Sequence, residues 1–209
     1  VWSSLPLELL AVVFEPGLPA PLVQALSLSI DRAAIHNVLL QRQGAPAGGL
    51  LPDWLSGYAS LFAAPRDISR ARQAARQQPL TLGYNPLDTL ARAIAERIAV
   101  DSREAGILVR PVAQGAAQAR LVRLRMPSMS AGPALAGLAV ALGSRDPLTP
   151  PPSAELQYTV ERNLMEERRV IPVCHLPESY ALAPRVKNWS PARWGAWRIE
   201  KVWLGPDKP

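Results

Sequence analysis

An α/β fold is what this sequence predicts, and three observations predict it. Residues 80–84 read as a strand, 87–104 as a helix and 107–112 as a second strand, a β-α-β succession whose strands run parallel if they share a sheet. Further strand candidates at 7–14, 118–126 and 170–175 alternate with helical stretches. The length of 209 residues suits one domain, or one with a short appendage, and is enough to bury a substantial core.

The elements follow in order. Residues 7–14 form an apolar strand candidate, ended by Pro16, Gly17 and Pro19. Leu22, Leu26, Ile30, Ala33 and Val38 then recur at three- to five-residue spacing, which predicts one amphipathic helix that the glycines and Pro46 stop. Residues 50–64 read as loop and short helix carrying Trp54, Tyr58 and Phe62, and residues 68–77 as a helix capped by Asp67. In the β-α-β unit, Pro86 and Asp88 begin the helix and Gly106 ends it. A strand at 118–126 sets Leu121 and Val122 beside Arg123 and Arg125, and a helix over 133–142 follows. Pro147, Pro150, Pro151 and Pro152 make a stiff connection. Ser153 caps a helix running to about Arg169, ahead of the strand at 170–175. Near the end, Trp197, Ile199, Lys201 and Trp203 alternate with Arg198, Glu200, Val202 and Leu204, which favours a terminal strand or hairpin.

The formal net charge is +6, and Lys187, Lys201 and Lys208 are the only lysines. The densest basic patch is Arg66, Arg70, Arg72 and Arg76. It has no interleaved aromatics on which bases would stack, so a solvated helix face is expected there and nucleic acid is not an expected partner. No apolar run approaches the ~20 residues of a membrane span. Cys174 is the single cysteine and sits in an apolar strand, the setting of a buried, inert thiol.

Signatures of catalysis are few, and the reading is non-enzymatic with no cofactor and no metal. His36 and His175 are the only histidines. Neither has a second ligand at zinc spacing except Cys174, which on a strand would point to the face opposite His175. No Gly-x-Ser-x-Gly elbow is present. The Gly-rich stretch at 44–49 lacks the Lys-Ser/Thr of a phosphate-binding loop. Glu166 and Glu167 are adjacent on a helix and do not converge as a carboxylate pair.

Three groups of words, in this order, carry a resemblance. The first is Ala25-Leu-Ser-Leu-Ser-Ile-Asp-Arg32 before Gly44-Ala-Pro-Ala-Gly48 and Leu51-Pro52. The second is the stretch Leu80-Thr-Leu-Gly-Tyr84, Asn85-Pro86 and the helix after it. The third is Val170-Ile-Pro-Val173, His175-Leu-Pro-Glu178 and Pro184-Arg-Val-Lys-Asn-Trp189. Together they resemble the family 5 extracellular solute-binding proteins, the dipeptide and oligopeptide receptors of ABC importers, over most of residues 8–205. The resemblance implies an α/β, periplasmic-binding-protein-like (class II) lobe with a mixed sheet flanked by helices. On this reading residues 1–185 are the C-terminal solute-binding lobe, and 186–209 a tail that returns toward a first lobe.

The first lobe and any secretion signal are then expected to be missing from this chain, which begins at Val1 without a leader. The expected partners are a small solute or peptide, the missing N-terminal lobe and the permease subunits. The expected location is periplasmic or on the cell-envelope exterior of the parent protein.

In peptide-binding members of that family, an aspartate shortly after a strand of this lobe pairs with the peptide's free amino group. The corresponding stretch here, Leu124-Arg-Met-Pro-Ser-Met-Ser-Ala131, contains no acid. Ser128 stands closest to the aspartate's place and Arg125 near the family's tryptophan. Arg125, Met126, Ser128 and Trp54 are the candidate solute-binding residues. An arginine repels an ammonium, so an anionic or neutral solute, or a receptor that has lost binding, fits this departure better; Arg125 simply exposed at a strand end fits as well. The alternative to a receptor is an α/β ligand-sensing or protein-interaction module that reuses the lobe without transport.

Overall fold

The structure is a computed structural model that describes residues 2–63, 65–75, 79–113, 115–190 and 199–206. Its centre is a six-stranded mixed sheet. The strands are β1 (Trp2–Phe14), β2 (Ala45–Pro46), β3 (Leu80–Gly83), β4 (Val109–Val112), β5 (Ala119–Arg125) and β6 (Val170–Tyr180), in the order β2-β6-β1-β5-β3-β4. β1 pairs antiparallel with both β5 and β6, while β3 runs parallel to β4 and β5. The mixed sheet and the β-α-β unit are therefore present as expected.

Helices cover both faces. On one side lie α1 (Ala20–Ser29), α4 (Ile68–Ala74) and α5 (Thr89–Glu104), on the other α6 (Ala131–Ala141) and α7 (Ala154–Arg168). Asp88 caps α5 by accepting the Ala91 N–H at 2.9 Å, and Gly106 turns the chain out of it with φ +79°. Ile94 and Ile98 of α5 are fully buried against Leu10, Leu80 and Leu82, each contributing roughly 1.5–3 kcal/mol through burial. The second core joins Leu9, Ala11 and Val170 of the sheet to Leu135, Leu138 and Leu164 of α6 and α7.

Two expectations need correction. The helix expected to run from Leu22 to Val38 breaks after α1: Ile30 is extended, and a new turn begins with α2 (Arg32–Ala34), continuing as a π-helical turn over Ile35–Leu39. Asp31 causes the break, because its side chain caps the new turn at Ala34 N (2.8 Å) while its own N–H is held by Asp101 Oδ2 at 3.0 Å. Val38 is consequently 67 % exposed rather than part of an apolar face. The strand expected at 170–175 extends to Tyr180, because its far end pairs with the start of β1, Trp2 opposite Tyr180.

Near the end of the chain, β7 (Val186–Lys187) pairs antiparallel with β8 (Trp203–Leu204). Ile199–Lys201 is a 3-10 turn, whereas Trp194, Trp197 and Arg198 lie outside the described residues, as does Arg76 of the basic patch. Two side chains of that patch are tied to a neighbour. Arg66 reaches Glu104 Oε2 at 2.8 Å, and Arg72 Nε donates to the Glu104 carbonyl at 2.8 Å.

Candidate functional site

Three adjacent strands change character on one face as they leave the first core. Along β5 the residues on that face run Leu121, Arg123, Arg125; along β6 Leu176 is followed by Glu178 and Tyr180; along β1, Leu10 is preceded by Glu8. Two-residue steps keep each series on one side of the sheet. The apolar floor thus ends in a charged rim. That rim bounds an open depression of about 670 Å³ lined by Glu8, Arg123, Arg125 and Pro177 to Tyr180.

The rim charges pair with one another. Arg123 donates from Nε to Asp88 Oδ2 (2.5 Å), from Nη2 to Asp88 Oδ1 (3.3 Å) and from Nη1 to Glu8 Oε2 (3.0 Å). Asp88 therefore serves both as the cap of α5 and as an anchor for Arg123. Burial alone would raise the Asp88 carboxyl, but the hydrogen bond from Arg123 and the backbone N–H of Ala91 hold it below its ordinary value. Arg125 Nη2 lies 2.9 Å from Glu178 Oε1, with the arginine 61 % and the glutamate 15 % exposed. The Tyr180 hydroxyl donates to the other oxygen of Glu178, and its ring meets Trp189 edge-on at 5.4 Å.

The four residues nominated from sequence are not gathered at one place. Arg125 lines the cleft. Met126 points to the opposite face and is 7 % exposed in the second core. Ser128 sits in the turn before α6, where its Oγ accepts the Ser130 N–H at 3.1 Å. Trp54, on α3 (Asp53–Ser56), donates from Nε1 to the Pro6 carbonyl at 3.0 Å and lines a separate depression of about 920 Å³ beside residues 45–49. Residues 124–131 contain no acid, yet Glu8, Asp88 and Glu178 bring three carboxylates to the arginines from other elements. The alternation of Arg123 with Arg125, and of Glu178 with Tyr180, was a legible signal for this rim; which carboxylates meet which arginines was not.

A second polar cluster sits inside the lobe. Glu161 is fully buried; its Oε1 accepts the backbone N–H groups of Leu50 (2.5 Å) and Leu51 (3.0 Å), and its Oε2 the Tyr58 hydroxyl (2.9 Å). His175, 4 % exposed, donates from Nε2 to the Leu50 carbonyl at 3.1 Å. Arg32, 6 % exposed, donates to the Pro172 and Ser27 carbonyls at 2.9 and 3.0 Å. Burial pushes Glu161 up to about 7, against its three hydrogen bonds, and drives His175 down to about 4. It also lowers Arg32 to about 10, still charged at neutral pH, and pushes the Cys174 thiol up to about 12. Glu161 and His175 fasten the chain just after the Gly-rich stretch to α7 and to β6. Two glycines permit the fit: a Cβ at Gly44 (φ +74°) would lie 2.1 Å from the His175 carbonyl oxygen, and one at Gly49 would lie 2.6 Å from Glu161 Oε1.

The fold, a mixed sheet with helices on both faces, is that of a periplasmic-binding-protein-like lobe. Among solved structures, the chain is similar to peptide-bound OppA of Listeria monocytogenes (TM-score 0.76, 12 % identity, covering 98 % of this chain and 50 % of that one). It is similar also to the oligopeptide-binding protein AppA of Bacillus subtilis in complex with a nonapeptide (TM-score 0.74, 12 % identity, 98 % and 52 %). A third is an ABC transporter substrate-binding protein of Sinorhizobium meliloti (TM-score 0.64, 23 % identity, 96 % and 52 %). The chain spans about half the length of the structures it matches. No family model matches the chain, and no curated protein matches it.

Proposed function

We propose that this chain is one lobe of a two-lobed solute receptor of an ABC importer, working outside the cytoplasmic membrane with permease subunits. Capture by lobe closure, without a catalytic step, is the mechanism. The observation that carries this reading is the Arg125–Glu178 pair standing at the open rim of the cleft, within a fold that matches half of each receptor-like structure. A solute bearing both a carboxylate and an ammonium can exchange with that pair, taking Arg125 by its carboxylate and Glu178 or Glu8 by its ammonium. Charge-assisted bonds of this kind are the strong ones. A short peptide is such a solute, and the acids of β1 and β6 offset the repulsion that Arg125 alone would exert. Met126, Ser128 and Trp54 do not line this cleft and carry no part of the proposal.

The test is a thermal-shift screen of the polypeptide carrying both lobes, and of this lobe alone, against di- and tripeptides, amino acids, sugars and inorganic anions. A true ligand at a hundredfold excess over its Kd stabilises by about 2.7 kcal/mol. The expected result is a hit among peptides with both lobes present. If a micromolar complex of about −8 kcal/mol keeps half its energy on one lobe, the isolated lobe binds at roughly millimolar Kd. Micromolar binding by the lone lobe overturns the two-lobe reading. The mutual pairing of Arg123, Asp88 and Glu8 favours a second reading, a ligand-sensing or interaction module without transport. Silence across the screen from a well-folded two-lobe protein selects it.

A further inference from the structure

We propose that the groove between α1, α7 and the N-terminal end of β6 is a second ligand site, built for a small monocarboxylate with an aliphatic body. The groove has a volume of about 500 Å³, within the ~300–1,000 Å³ usual for small-molecule pockets. Val23, Met165, Val170 and Ile171 give it an apolar wall, and three guanidinium groups, Arg32, Arg162 and Arg169, border it with a single carboxylate, Glu166. It lies at the other end of β6 from the charged rim. Pro172 and Glu178 are six residues apart, about 20 Å along a strand, so this site is distinct from the cleft.

Arg169 supplies the decisive observation. It ends α7 in the left-handed conformation (φ +50°), which turns the chain into β6. Its Nη1 is buried and, among the described residues, has no hydrogen-bond partner. A buried donor left unmade costs about 1–3 kcal/mol, more when charged, and a guanidinium is matched best by a carboxylate that accepts two of its N–H groups. Arg162, whose guanidinium lies 5.9 Å from the centroid of the Tyr158 ring, adds positive charge from the exposed side. Arg32 is held by Pro172 and Ser27, so Arg162 and Arg169 stand against the one carboxylate, a balance that asks for a negative ligand, while the hydrocarbon wall asks for an apolar body.

The probe is octanoate, titrated calorimetrically into the folded chain, with 1-octanol and acetate as comparators. One octanoate per chain at a Kd below about 1 mM is expected, with both comparators at least about tenfold weaker. Arg169→Met is expected to weaken octanoate about tenfold or more without lowering the Tm of the unliganded protein, because the donor it removes has no partner to lose. Arg162→Met, on the exposed face of α7, is expected to weaken it severalfold and keeps the test open if the first variant fails to fold. Octanol binding as tightly as octanoate, unchanged affinity in either folded variant, or no binding by the wild-type chain would each overturn the proposal.

Discussion

The lobe contains two clusters of carboxylates and cationic or neutral donors, and they differ in depth rather than in chemistry. Beneath the Gly-rich loop, Glu161, His175 and Arg32 are at least 94 % buried and bond mostly to backbone. At the rim, Arg123, Arg125, Glu8, Asp88 and Glu178 bond mostly to one another, and Arg125 is 61 % exposed. Burial makes the first set permanent, since removing a partner strands a desolvated group. Exposure makes Arg125 the exchangeable member of the second, since water or a ligand can replace its partner at little cost. Buried and more exposed polar groups are thus separated along β6, with His175 serving one cluster and Glu178 the other.

The largest effect that can break this contrast is expected at Glu161. Glu161→Ala removes the acceptor of two buried backbone N–H groups and the Tyr58 hydroxyl at once. At about 1–3 kcal/mol for each stranded donor, offset in part by relief of the buried carboxyl, a net loss of about 3 kcal/mol in chemical denaturation is expected. Tyr58→Phe, which removes one bond, is expected to lose about 1 kcal/mol. A loss below ~1 kcal/mol in Glu161→Ala would mean that the loop does not depend on its buried anchor.

The same anchor predicts an unusual pH response. Glu161 rises from 4.5 to about 7 on folding, so its contribution is present below pH 4.5 and lost as pH rises through about 7. His175 falls from 6.5 to about 4, so its contribution is present above pH 6.5 and lost as pH falls through about 4. The two groups hold opposite ends of Leu50, one its N–H and the other its carbonyl, and their slopes oppose each other between pH 4.5 and 6.5. The wild type is expected to show little net slope from this pair. Glu161→Gln is expected to expose the histidine's, a gain of about 1.4 kcal/mol per pH unit as pH rises through that window. Denaturation midpoints measured at half-unit intervals read it directly, and equal slopes in the two proteins would refute the coupling.

How much of this was legible in the sequence depends on how local the cause is. α5 was readable at both ends because Asp88 and Gly106 act within a turn of where they stand. The class of the fold followed from the β-α-β unit and the ordered words around it. The break at Ile30 was not legible, because it depends on Asp101 holding Asp31 N–H from 70 residues away and on Arg32 reaching Pro172 O from 140. The cleft was half legible. Arg125 follows from alternation along β5, but the carboxylate Arg123 finds on Glu8 is 115 residues distant, and only the pairing of β1 with β5 brings it there. Trp54 drew notice as an aromatic in a loop, whereas its indole N–H is committed to Pro6.

The smallest expected effect sharpens the comparison from the exposed side. If the rim pairs are exchangeable, the double-mutant cycle of Arg125→Ala with Glu178→Gln should return a coupling of only about 0.2–1 kcal/mol in the unliganded protein, and less in high salt because the arginine lies in solvent. The parallel cycle of Arg123→Ala with Asp88→Asn should return more. Arg123 is gripped by two carboxylates and is only a third exposed, 33 % against 61 %. Asp88 also caps α5, and Asn preserves that capping role, so the cycle isolates the ion pair. Equal couplings in the two cycles would place both arginines in the same structural role and remove Arg125 as the exchangeable partner on which the proposed ligand capture at the rim depends.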